Sequence, residues 1–193
     1  MKVQAVSIKP TTLLSGFLVA AVIAICSATN VHADPIPADA QAKVDSAKKK
    51  LVDWSSNPVV VAAIKESNAK GGLAGVTNAK WDDMADTDAA VKGLTSSVAG
   101  KQVTKWETDD TALNKIILRD EKGNAVAYSS HSGKPILYNN ATRAPFKNGL
   151  AGVWADKEAK PDPTTQKKSV QVSAPVMDGG KAIGVIQAAV ELQ

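Results

Sequence analysis

The sequence predicts an α+β fold: a single antiparallel sheet with helices from the N-terminal half packed on one face. Three observations carry this. An apolar stripe recurs at helical spacing over residues 38–54, a hairpin signature spans 113–130, and a second hairpin over 170–192 brings the chain to its end. Residues 34–112 read as mainly helical and 113–193 as mainly β, together forming one domain.

Residues 1–33 stand apart. Lys2 and Lys9 make a positive start, no acidic residue precedes Asp34, and Leu13-Leu14-Ser15-Gly16-Phe17-Leu18-Val19-Ala20-Ala21-Val22-Ile23-Ala24-Ile25-Cys26 is an apolar run broken only by Ser15 and Gly16. That run is short of the about 20 residues a membrane-spanning helix needs. Val31-His32-Ala33 then places small residues at the −3 and −1 positions before Asp34. Charged start, short apolar core and small-x-small exit predict a signal peptide, a mature start at Asp34 and a periplasmic or secreted location. The only cysteine, Cys26, leaves with it, so the mature chain has no thiol chemistry. Losing Lys2 and Lys9 lowers Lys+Arg from 23 to 21 against 19 acidic residues, and the formal charge from +4 to +2. So mild a surplus does not suit a nucleic-acid binder, which needs a concentrated basic face.

The mature chain opens with helices. Ala40, Val44, Ala47, Leu51 and Trp54 fall on one stripe, while Lys43, Lys48, Lys49 and Lys50 lie mostly off it. The stripe can pack on the domain's own sheet, which its short length favours, or form the seam of a homodimer. Asn57-Pro58 stops this helix and caps the next, over 59–69, which ends at Gly71-Gly72. Shorter helices are predicted over 78–84 and 87–98. Trp81 and Trp106 are expected in the core.

Strands follow. Residues 113–119 are aliphatic-rich and run into the turn Asp120-Glu121-Lys122-Gly123-Asn124, with 125–130 returning as partner. Residues 131–149 show no clear period, and stretches of that kind are usually functional or mobile. A short strand is expected over 150–155. Val170, Val172, Ala174 and Val176 alternate with polar residues, Asp178-Gly179-Gly180 turns the chain, and 182–192 comes back with apolar residues on both faces, as a central strand would. The middle segment is expected to cover the sheet's second face.

Taken together, Asn57-Pro58-Val59-Val60-Val61-Ala62-Ala63-Ile64-Lys65-Glu66-Ser67-Asn68, the hairpin from Ile116 to Val126 and the closing Val172-Ser173-Ala174-Pro175-Val176-Met177-Asp178-Gly179-Gly180-Lys181-Ala182-Ile183-Gly184-Val185 resemble the Cache (PDC-type) extracellular sensor domains of bacteria. The resemblance covers most of the mature chain. It implies a PAS-like single Cache fold and a small-molecule ligand held between the sheet and the loops bridging its middle strands, here about 131–152. It also implies a partner such as a membrane receptor or kinase, and no enzymatic activity.

The same segment has its own electrostatic signature. From Ser129 through Ala155 there is no Asp or Glu, yet His131, Lys134, Arg143 and Lys147 fall there. Arg offers a planar fork suited to a carboxylate, and Tyr128, Tyr138 and Trp154 supply apolar walls with polar tips. The expected site is therefore Tyr128, His131, Tyr138, Arg143, Lys147 and Trp154, holding a small anion of carboxylate type. The alternative is an adaptor that dimerises through its first helix and binds no ligand. His131, the one histidine beyond Ala33, has serines around it, but no Gly-x-Ser-x-Gly elbow exists for a hydrolase. One histidine and no cysteine make a poor zinc site, and no cofactor motif is present.

Overall fold

A computed structural model describes residues 34–192; the leader predicted over 1–33 lies outside the described residues. The helical half comprises α1 (Ala38–Ser55), α2 (Pro58–Lys70), α3 (Asn78–Asp83), α4 (Ala89–Ser96) and α5 (Val98–Asp109). On α1 the buried residues Ala40, Val44, Ala47 and Leu51 are the predicted stripe. Asn57 caps α2, its Oδ1 accepting from Val59 N at 2.9 Å, with Pro58 in the first turn where no amide is missed. Gly71, at φ 74°, ends α2 in the left-handed region that glycine reaches without steric cost.

The helix expected over 87–98 is α4, and α5, which was not expected, follows it directly. Ser97 ends α4 and starts α5, its hydroxyl accepting from Gly100 N at 2.9 Å. A side chain at position 100 would lie 2.3 Å from the Leu94 carbonyl, so only glycine lets the helices meet this closely. Trp106 of α5 stacks on Trp54 of α1, centroids 4.6 Å apart and rings within 3° of parallel.

The β half contains β2 (Leu113–Asp120), β3 (Ala125–Tyr128), β4 (Trp154–Ala155), β5 (Glu158–Pro161), β6 (Lys168–Asp178) and β7 (Lys181–Glu191), while β1 (Asp34–Pro35) precedes the helices. Among the described residues these form one sheet ordered β1-β5-β6-β7-β2-β3, with β4 also pairing β6, and every pairing is antiparallel. The last strand in sequence lies at the centre, as its two-sided apolar pattern predicted. This is the α+β arrangement that the sequence predicted. The middle segment is more ordered than its sequence suggested: α6 (Ala144–Ala151) occupies its end, and the strand expected over 150–155 shrinks to β4.

Alternation along the strands sorts the sheet into two unlike faces. Ile116, Leu118, Val170, Val172, Ala174, Ile186, Ala188 and Val190 face α1, α2 and α5 and form the main core. Fully buried side chains such as Leu51 and Ile116 contribute about 1.5–3 kcal/mol each. The opposite face is polar at its centre, carrying Lys115, Arg119, Ser169, Gln171, Ser173 and Gln187. Over β3 a smaller apolar cluster of Trp81, Val91, Leu94, Ile117, Ala125, Tyr128 and Tyr138 covers this second face. Over β6 and β7 it is covered by α6, where Gly149 lies against Ser173 and Val185.

Candidate functional site

A cavity of about 450 Å³ lies on the polar face, between β2, β6 and β7 and the loops on either side of α6 and β4. Its floor carries Lys115, Arg119, Gln171 and Gln187, and its walls include Ile136 and Arg143.

Arg119 is 2 % exposed. Its Nε donates to Gln187 Oε1 at 2.8 Å, Nη1 to the carbonyls of Tyr138 (2.8 Å) and Gly123 (3.0 Å), and Nη2 to the Leu137 carbonyl at 3.2 Å. A guanidinium has five N–H donors; these bonds use four, and all four acceptors are neutral. Burial pulls its pKa down to about 10, with Asp120 acting the other way, so it stays cationic at neutral pH. Gln187, 4 % exposed, spends its oxygen on Arg119 and leaves Nε2 buried at the cavity floor with no acceptor.

Lys115 is paired with Asp162 across the cavity's edge, both buried. Asp162 also accepts from Thr164 N and Thr165 N, each at 2.9 Å, and from Gln171 Nε2 at 2.6 Å. Burial alone would raise its carboxyl; Lys115 and the two backbone donors outweigh that and hold it below the usual carboxylate range. Four of the cavity's lining residues are cationic (Lys115, Arg119, Arg143, Lys160) and one, Asp156, is acidic. Lys160 sits 3.1 Å from Glu158 and 3.5 Å from Asp156. Among the described residues, Arg119 and Arg143 have no carboxylate partner. The cavity can therefore balance negative charge and has two donors spare for it.

The loop that walls this cavity is pinned at several points. Asn139 N donates to Asn78 Oδ1 at 2.7 Å, and Asn139 Nδ2 reaches Asn124 Oδ1 at 2.8 Å. Gly123, at φ 84°, allows the β2–β3 turn to press on Ala141, 2.7 Å from where a Cβ would stand. Ser173 Oγ donates to the Pro145 carbonyl at 2.8 Å and so ties the first turn of α6 to β6.

Of the six residues expected from sequence, the structure brings Arg143 to this cavity. Tyr138 serves it through its carbonyl on Arg119. Its ring lies in the smaller cluster at 5.5 Å from Trp81, and its hydroxyl accepts from Leu73 N at 2.5 Å. Tyr128 is 3 % exposed in that same cluster, and burial pushes its hydroxyl up to about 12, with Asp86 adding to the shift. His131 stands at a different cavity, beside Glu107. Lys147 is exposed on α6, and Trp154 is half-buried on β4 opposite Ser173. Lys134 caps α3, donating to the Trp81 carbonyl at 2.7 Å and standing 5.3 Å over the Trp81 ring.

Sequence reasoning missed Arg119, Lys115 and Gln187. A signal was present: Gln187 is a lone amide in an apolar central strand, and Lys115 and Arg119 share one face of β2 four positions apart.

No family model and no curated protein matches the chain. Solved structures do. The sensor domain of the Vibrio cholerae histidine kinase DctB matches at 18% identity and a TM-score of 0.42, over 80% of this chain and 58% of that one. The sensory domain of the Campylobacter jejuni chemoreceptor Tlp3 with isoleucine bound matches at 16% and 0.41, over 81% and 64%. The ligand-binding domain of the Pseudomonas fluorescens chemoreceptor CtaA with L-serine matches at 14% and 0.37, over 78% and 55%. The chain thus spans less than two thirds of each of these structures, which are sensor or ligand-binding domains of a kinase and of chemoreceptors.

Proposed function

We propose that this chain is a small-molecule sensor domain that binds a small anion of carboxylate type in the cavity over Arg119 and passes its occupancy to a partner protein. The carrying observation is the paired surplus of donors at the floor: the fifth N–H of a buried Arg119 and the orphaned Nε2 of Gln187. A buried donor without a partner costs about 1–3 kcal/mol, and an incoming carboxylate oxygen removes that cost for both. Arg143 at the rim and the N-terminal turn of α6 favour the same charge. Ile117, Ile136 and Leu137 give the ligand's carbon chain an apolar surface.

The test is calorimetry with a panel of small mono- and dicarboxylates on the wild type, Arg143→Ala and Gln187→Met. A hit is expected, weakened about tenfold by each substitution. No binding by any acid, or the same affinity in both variants, would overturn the assignment.

The sensor acts from the periplasm or outside the cell, as one domain running from Asp34 and released by removal of residues 1–33. Among the described residues no helix is long and apolar enough to cross a membrane. Mass spectrometry of the exported protein is expected to find Asp34 at the N-terminus; a chain retaining residues 13–26 would make it a tethered receptor instead.

A further inference from the structure

A second cavity, of about 440 Å³, opens at the start of β2, with Glu107, Asn114, His131, Thr165, Lys167 and Glu191 among its lining residues. Two of these hold buried oxygens that no donor meets in hydrogen-bond geometry, Glu107 Oε2 and Asn114 Oδ1. Each residue is 7 % exposed. The amide orientation at Asn114 is fixed from outside. Its Nδ2 donates to Ser169 Oγ at 2.9 Å, and that hydroxyl has already given its own proton to the Lys167 carbonyl at 2.9 Å. The free end is therefore the acceptor.

Charge points the same way. Lys167 is committed to Glu191 at 2.7 Å. His131 Nδ1 lies 3.4 Å from Glu107 Oε2, on a side chain 63% exposed. Lys167 and Glu191 cancel, which leaves Glu107 as the cavity's remaining carboxylate; burial raises its carboxyl, while Ser129 and His131, as nearby donors, act against the rise. Both unmet groups accept, so whatever satisfies them must donate, and a positive charge also answers Glu107. A primary ammonium has three donors and no acceptor. A metal ion is the weaker fit, because no cluster of three metal-ligating side chains occurs among the described residues.

We propose that this second cavity binds the ammonium group of a small primary amine, with Glu107 Oε2 and Asn114 Oδ1 as its acceptors. The site stands apart from the anion cavity in residues, charge sign and ligand class, so neither assignment depends on the other.

The probe is propylammonium chloride titrated into the exported protein at neutral pH, at constant ionic strength, read by calorimetry and by amide resonances in two-dimensional NMR. Saturable shifts centred on Glu107, Asn114 and Thr165 are expected, with affinity reduced roughly tenfold or more in Glu107→Gln. Tetramethylammonium, which carries charge but no N–H, is expected not to compete. Asn114→Leu serves as an independent second variant should Glu107→Gln fail to fold, with the same loss expected. The proposal is overturned if propylammonium gives no saturable shift, if tetramethylammonium binds equally well, if a folded variant binds like the wild type, or if the shifts centre on Arg143 and Gln187.

Discussion

Asp162 shows how much one side chain can organise. It neutralises Lys115, accepts from two consecutive threonine amides and orients Gln171. In Asp162→Asn the new NH2 would face the Lys115 ammonium or the Thr amides, donor against donor, and Lys115 would be left buried and unpaired. Breaking a buried pair in this way costs about 3–5 kcal/mol, and urea unfolding of the variant is expected to show a loss of that size. The pH dependence follows from the depressed carboxyl of Asp162. Its contribution is complete above the unfolded-state value of about 3.9 and disappears as pH falls through the lower folded-state value. Urea midpoints measured downward from neutral pH should therefore drop steeply below about pH 4 in the wild type and less so in Asp162→Asn. None of this was legible in the sequence, where Asp162 sits in Pro161-Asp162-Pro163 and reads as a turn residue. Its partner Lys115 is 47 positions away, and no local pattern joins the two.

Among elements, legibility followed the apolar period. α1 carried a strong stripe, α2 an Asn-Pro start and a glycine stop, and β6–β7 alternation around Asp-Gly-Gly, so all four fall within a few residues of where the sequence put them. α5 was missed because Glu107 occupies a position where its buried face would ordinarily present an apolar residue. α6 was missed because Phe146 is its one large buried side chain and Pro145 and Gly149 mask the pattern. Gly149 is also what lets α6 lie flat on the sheet: a Cβ there would stand 2.6 Å from Ser173 Oγ and 2.8 Å from Val185 Cγ1. Gly149→Ala is expected to destabilise the protein by about 1–3 kcal/mol through overpacking. Thermal melts should record this. Under the proposed function, carboxylate affinity should fall as well, because Arg143 and Pro145 move with the displaced helix.

For the whole molecule, β2 is the shared partition. Ile116 and Leu118 belong to the helix-covered core, while Lys115 and Arg119 on the same strand floor the cavity. The fold class and the two-sided central strand followed from composition and periodicity, whereas the site depended on which strands become neighbours, and that is a property of the folded sheet. A shared partition leaves little room for independent unfolding of the two layers. Far-UV circular dichroism and tryptophan fluorescence, the latter reporting on both Trp54–Trp106 and Trp81, are expected to give coincident transitions; two separated midpoints would refute the single cooperative unit. A ligand at roughly 100 times its Kd should raise the stability of that unit by about 2.7 kcal/mol. Thr164 lines the cavity proposed for an anion and the adjacent Thr165 lines the one proposed for an amine, both amides being held by the same carboxylate oxygen of the Asp162 turn. A molecule that stills this turn from one side lowers the ordering cost for a molecule arriving on the other, and the favour is returned by the same factor. Such a domain would answer most strongly when acid and amine arrive together, reading coincidence rather than either concentration alone.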